Sequence, residues 1–174
     1  ILFLPLFCCS LTDEMLKKVE EVSKKTAVLK SANMSLGINM LLKILKEATS
    51  VLAPAGFDIE IVEKHHNLKL DAPSGTALAI ADAMNAVLNN EYAYKLDRSQ
   101  ERARRGKKEI GIQAVRGGNI VGEHDVIFCG TDEVIEIKHT AYSKGIFGKG
   151  AIAAAAFLKG KEPGMYSMSD VIAQ

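Results

Sequence analysis

The sequence predicts a mixed α/β (α+β) fold built on a mixed sheet, and three observations carry that expectation. Segments with two-residue alternation gather in the middle of the chain, as in "FDIEIVEKHH" (57–66) and "DEVIEIKHTA" (132–141). Helical periods lie before and after them. The first and last helices read as belonging together on a different sheet from the middle, so that the chain leaves one domain and returns to it.

The elements follow in order. "ILFLPLFCC" (1–9) is an apolar run too short to span a bilayer, which takes about 20 residues. It lacks the basic flank and start methionine of a signal peptide and reads as a buried strand. A chain that starts at Ile1 rather than Met is expected to lack something upstream. Residues 12–26 read as a helix: Thr12 can cap it, Asp13 and Glu14 favour its positive end, and Met15, Val19 and Val22 keep an apolar stripe. "AVLKSA" (27–32) reads as a short strand. A second amphipathic helix spans 35–53 and stops near Pro54 and Gly56. Residues 57–66 form a strand, with Phe57, Ile59 and Ile61 alternating against Asp58 and Glu60. A loop and a third helix, 75–89, come next. Residues 95–109 are basic without periodicity and read as a solvated loop; an RNA-binding patch would interleave aromatic residues. "IGIQAVRGG", "EHDVIFCG" and "DEVIEIKHTA" then read as strands. "GIFGKGAIAAAAFLKG" (145–160) reads as a small-residue helix made for close packing, followed by a short final segment.

Composition narrows the function classes. In 174 residues, 48% are hydrophobic and 25% charged, which is enough for a real core. A net charge of +1 gives no global field for nucleic acid or a membrane. The three cysteines cannot build a disulfide framework, and without CxxC there is no zinc ribbon. A reducing, cytoplasmic setting is expected.

The chemistry concentrates in "VEKHHNLKLDAPSGTALAIADAM" (62–84), which holds two of the four histidines. Pro73 stops preceding regular structure and Ser74 or Thr76 can cap the helix that follows. Free N–H groups at that helix start, with Lys69 just ahead, make a cradle for a carboxylate or phosphate; an ordinary capped helix with a surface lysine fits the same spacing. It is not a Walker loop. Adjacent residues of a strand face opposite ways, so His65 and His66 have different surroundings, and either can move a proton near neutral pH. A metal site drawing on His124, His139 or Cys129 is a rival reading, against which stands the absence of HxH, HExxH and CxxC.

"EKHHNLKLDAPSGTA" (63–77) resembles the signature of the 4-hydroxy-tetrahydrodipicolinate reductase family, E-x-H-H-x-x-K-x-D-A-P-S-G-T-A, at every fixed position. "SANMSLGIN" (31–39), "AVRGGNIVGEH" (114–124), "HTAYSKGIFGKGA" (139–151) and "GMYSMSDV" are also family-like, so the resemblance runs from about Leu11 to the C-terminus. It implies NADPH- or NADH-dependent reduction of a cyclic dicarboxylate in diaminopimelate and lysine synthesis. His65 would be the acid/base residue and Lys69 the proton donor. His66, Ser74, Gly75, Thr76 and Lys144 would bind substrate, and Ser31, Ala32, Asn33 and Met34 would line the nicotinamide. A homotetramer formed through the sheet is implied, with neither nucleic acid nor membrane as partner and no metal. The implied domains are a remnant of a Rossmann-like nucleotide-binding domain (1–34), a substrate-binding and oligomerising domain (35–140) and a return to the first (141–174).

Departures from the pattern are specific. The family's GxxGxxG loop does not occur, so the nucleotide-binding domain is expected to be truncated and cofactor binding by this chain alone weak. A Gly-Thr-Thr-Gly loop should fall near residues 8–11, where the chain reads Cys8-Cys9-Ser10-Leu11. Met34 stands where Phe is common. Lys144 stands where Arg is common, keeping the charge but not the bidentate fork. A non-catalytic dicarboxylate-binding or assembly module derived from the family is the alternative.

Overall fold

The structure, a computed structural model, describes residues 11–173. The strand expected over residues 1–9 lies outside them. The described residues divide into two compact units, one holding 11–40 and 144–173, the other Leu41–Ser143.

In the first unit, α1 (Asp13–Ser23) begins as its sequence dictates: Thr12 is extended and its Oγ1 accepts from the Met15 N–H at 3.3 Å. Strand β1 (Ala27–Leu29) is wholly buried. Its partner comes from the far end of the chain, where β7 (Gly164–Tyr166) pairs with it in parallel, Val28 opposite Met165. Around this pair, Leu29, Met34, Ala154, Phe157, Leu158 and Met168 form a core. Helix α4 (Gly145–Leu158) supplies three of those residues, and α5 (Met168–Ile172) supplies Met168. A side chain at Gly150 would put its Cβ 1.7 Å from the Met34 carbonyl oxygen, so only glycine lets α4 lie against that loop.

Helix α2 (Leu36–Leu52) begins in the first unit and ends in the second. It stops where the sequence expected: Gly56 takes φ +94°, and the N–H groups of Gly56 and Phe57 turn back to the carbonyls of Ala53 and Leu52. The second unit is a five-stranded mixed sheet in the order β3-β4-β2-β5-β6. Strand β2 (Asp58–His65) is central, parallel to β4 (Glu109–Arg116) and antiparallel to β5 (Gly122–Cys129). The edges are β3 (Ala93–Lys95), parallel to β4, and β6 (Val134–Ala141), antiparallel to β5. The β2 alternation reads directly as burial: Ile59, Ile61, Glu63 and His65 point inward. Ile59, Ile61, Ile110, Ile112, Val126 and Phe128 fill that face, with Ile80 and Met84 of α3 (Gly75–Ala86) also fully buried.

The end of α3 and two short strands differ from expectation. Helix α3 ends at Ala86 rather than near residue 89, because Asn89 and Asn90 both take φ +57° and the Asn85 side chain bonds the Tyr92 backbone in both directions (2.8 and 3.0 Å). Strands β3 and β7 are additional; three residues are too few to show a period, and their partners are distant in sequence. Between β3 and β4 the basic stretch is the exposed loop that the sequence predicts, and Arg98 and Arg105 fasten it through Glu60, Glu109 and Asp58. Among the described residues no helix is long and apolar enough to cross a membrane.

Candidate active site

The site grows from the last turn of alternation in β2. Glu63 and His65 share the buried face, two residues apart. Glu63 sits opposite His124 on β5, His124 sits opposite His139 on β6, and His65 sits opposite Arg116 on β4. Four strands thus bring one carboxylate, its arginine partner and three imidazoles to one end of the sheet.

Glu63 is fully buried, which would ordinarily drive it neutral. Its surroundings prevent this. Arg116 grips it through both oxygens at 2.7 Å, the Ser74 N–H donates at 2.9 Å, and His65 Nδ1 lies at 2.6 Å. Burial raises the Glu63 carboxyl, but the hydrogen bonds from Arg116, His65 and the Ser74 amide outweigh it and hold the group below the ordinary carboxylate range. An ionised carboxylate only accepts, so the proton of the His65 ring facing it belongs on Nδ1 and Nε2 is left for other chemistry. That Nε2 faces Gly122, where a Cβ would stand 3.1 Å away, so a residue without a side chain makes room for the ring.

The same Glu63 fixes the start of α3. Ser74 donates its N–H to Glu63, while its Oγ accepts from the Ala77 N–H at 3.1 Å and lies 3.0 Å from His124 Nε2. His124 packs edge-on to His65 with centroids 5.2 Å apart. Burial, then the nearby His65, push His124 down to about 4, so it is neutral near pH 7. Ahead of the helix, Lys69 Nζ donates to Asp71 Oδ1 at 2.7 Å; that bond first, and the Gly75 amide last, lower the Asp71 carboxyl. Gly75 is exposed, with open space where a Cβ would be, and Thr76 is half-buried. The loops after β2 and β4 are laced together: Gly117 N–H donates to the His65 carbonyl and Asn67 N–H to that of Gly118, whose φ of +51° is easy for glycine. His66 follows β2, half-buried, with Nδ1 out of solvent and without a hydrogen-bond partner among the described residues.

Sequence reasoning missed Glu63, Asp71 and Arg116 as functional candidates and met His124 only as a metal ligand. The two-residue period was the available signal for Glu63, since it lies on the face of His65. Arg116 is recognisable only once β4 is known to pair with β2. The rival metal set is not assembled: His124 and His139 are cross-strand neighbours, but Cys129 is five residues further along β5, about 17 Å at strand rise. Among the described residues no group of three or more His, Cys, Asp or Glu is placed to hold a metal ion.

The remaining sequence candidates lie in the other compact unit. Ser31–Met34 form a braced loop: Ser31 Oγ donates to the Asn33 carbonyl, Asn33 Oδ1 accepts from the Ser35 N–H, and Asn39 Nδ2 donates to the carbonyls of Asn33 and Ser35. Met34 is buried and Ala32 exposed. Lys144 is an exposed cation immediately before α4.

Comparison with known proteins places the chain in a family. The family model described as dihydrodipicolinate reductase, C-terminus, matches residues 37–172. The chain is 59% identical over 162 residues to the 4-hydroxy-tetrahydrodipicolinate reductase of Caldanaerobacter subterraneus subsp. tengcongensis, covering 93% of this chain and 64% of that protein. It is 52% identical over 167 residues to the reductase of the same name from Clostridium tetani, covering 95% and 65%. The chain therefore spans just under two thirds of the length of these relatives. In fold it resembles a dipicolinate-bound dihydrodipicolinate reductase from Paenisporosarcina sp. TG-14, with a TM-score of 0.69 over 90% of this chain and 59% of that one, at 22% identity. With the family model matching most of its length and the site signature of residues 63–77 complete, the chain belongs to the dihydrodipicolinate reductase family.

Proposed function

We propose that the chain works in the NADPH- or NADH-dependent reduction of 4-hydroxy-tetrahydrodipicolinate, a step of diaminopimelate and lysine synthesis, and that Leu41–Ser143 bind the substrate and deliver the proton. The observation that carries this reading is Glu63, one buried carboxylate that orients both the His65 ring and the start of α3. A relative of the same family is described as dipicolinate-bound, and dipicolinate is a planar cyclic dicarboxylate.

Each residue then has a task. Lys69 and the N–H groups of Gly75 and Thr76 hold a substrate carboxylate at the positive end of α3. His65, its Nδ1–H directed at Glu63, holds or moves a proton at Nε2, and Lys69 is the proton donor beside it. His66 holds substrate. Ser74 closes the cradle, its hydroxyl and amide both engaged in internal bonds. By the same family pattern, Lys144 contributes a further charge to the substrate. The cofactor, when bound, supplies hydride. The Ser31–Met34 loop suits the nicotinamide, because it is an uncharged, cross-braced backbone edge with Ala32 exposed for contact with a flat ring. Assembly into a homotetramer through the half-exposed face of the five-stranded sheet completes the reading.

Calorimetry with pyridine-2,6-dicarboxylate tests it. Binding is expected, and Lys69→Ala should weaken it by ~1.5–3 kcal/mol, the worth of hydrogen bonds to a charged group. Equal affinity in the variant would put the cradle elsewhere. In a reductase assay, His65→Gln should lower kcat by ~10²–10⁴-fold, while His66→Gln should act mainly through KM.

A further inference from the structure

The proposed cradle already contains a carboxylate, the protein's own. Asp71 Oδ1 accepts from Lys69 Nζ at 2.7 Å, and the Gly75 amide at the helix start also favours its charged form. These are the cation and the helix-start amide that a bound ligand would need. We propose that Asp71 is a built-in competitor, an internal carboxylate that fills the Lys69–Gly75 cradle when no ligand is present and rotates out when a ligand carboxylate enters. The inference deepens the proposed function and rests on its placement of the ligand carboxylate.

Three features of the structure suit Asp71 to this role. The first is an anchored backbone: Arg116 Nη2 donates to the Asp71 carbonyl at 2.7 Å while Arg116 is itself clamped to buried Glu63. The side chain can therefore leave by turning about Cα–Cβ without disturbing the loop. The second is solvent. The Asp71 side chain is 59% exposed, against 0% for Glu63, so the departing carboxylate passes into water, whereas Glu63 would have to be buried unpaired or pull the strand apart. The third is charge. The hydrogen bond from Lys69 holds the Asp71 carboxyl below the usual carboxylate range, so at neutral pH it is an anion like the ligand it stands in for. An ion pair this exposed is weak. A ligand anchored at a second point can displace it, while a simple monocarboxylate competes with an intramolecular rival at high effective concentration. Asp71 thereby sets a threshold that favours dicarboxylates.

Pyridine-2,6-dicarboxylate affinity is measured by calorimetry for the full chain and for Asp71→Asn, with Asp71→Ser as a second variant. Lys69 reactivity toward a water-soluble N-hydroxysuccinimide ester is mapped by peptide mass in all three, and circular dichroism checks that they fold. The proposal expects both variants to bind the dicarboxylate about fivefold tighter and to be acylated faster at Lys69 in the absence of ligand. Equal or weaker binding in the variants, with the parent chain binding normally, overturns it and makes Asp71 a support of the site. Tighter binding without faster acylation also overturns it, since Lys69 was then not restrained by Asp71. If neither the parent chain nor the variants bind, the dicarboxylate reading itself fails and this inference falls with it.

Discussion

At the C-terminal end of the β2–β4 pair, Arg116 grips a carboxylate that water does not reach; at the N-terminal end, Arg98 and Arg105 grip carboxylates that it does. The chemistry is the same and the strands are the same, but the surroundings differ. Glu63 is fully buried and shares its oxygens among Arg116, His65 and Ser74. Glu60, with a quarter of its side chain exposed, meets Arg98 and Arg105 and lies over Gly111, where a Cβ would collide with its carboxylate. Arg105 also donates to the carbonyls of Ile59, Gly106 and Glu109. One cluster orients the His65 ring and the start of α3, and the other fastens a loop. An arginine on a glutamate becomes part of a site when burial forbids any other partner, not through the pair itself.

The sharpest way to break this contrast is Glu63→Gln. It leaves Arg116 without its anion and His65 without its orienting acceptor. A loss of about 3 kcal/mol is expected in urea unfolding, the low end of ~3–5 kcal/mol for removing one partner of a buried pair, together with loss of dicarboxylate binding. Stability unchanged within error would show that the Glu63 end is no more demanding than the Glu60 end.

Acid should separate the ends next. His124 is pushed down to about 4 in the folded chain from an ordinary 6.5. Below pH 6.5 the unfolded chain takes up a proton that the folded chain refuses. Stability tied to this group is fully present above pH 6.5 and drains as pH falls toward 4, by about 3 kcal/mol over that window. Thermal melts from pH 7 to pH 4 should show that loss, and His124→Asn should flatten it; parallel curves would refute the assignment. At the other end, Arg105→Ala should cost about 1.5 kcal/mol in the same unfolding experiment while leaving dicarboxylate affinity intact, as a partly exposed cluster predicts. The smallest effect belongs to Gly122→Ala. Its Cβ would press His65 Nε2 from 3.1 Å, so stability should fall by no more than ~1 kcal/mol while the His65 ring signals shift in NMR spectra. An unmoved ring would mean that the room at Gly122 does not matter.

Much of the scaffold that positions His65 was legible in the sequence because the rules there are local. Two-residue alternation placed Ile59, Ile61 and His65 on one face, Thr12 and Ser74 announced helix starts, and Pro54 with Gly56 announced a stop. What was hidden is non-local. Arg116 lies 53 residues from Glu63, and nothing near either residue advertises the other. Asp71 reads as part of a turn until Lys69 and Gly75 are seen converging on it. The Asn85–Tyr92 bonds shorten α3 by a side-chain choice that helix propensity does not encode.

The parallel pairing of β1 with β7 has a consequence for synthesis. The three residues of β1 are made roughly 135 residues before their partner β7. At ribosomal speeds of ~5–20 residues per second, β1 waits on the order of ten seconds for β7. During that wait Leu41–Ser143 are completed as a continuous stretch, with all five strands of their sheet to hand. The order of assembly is therefore written into the topology: the unit carrying His65 and Lys69 can finish before β7 is made, and the β1–β7 pair can form only after it.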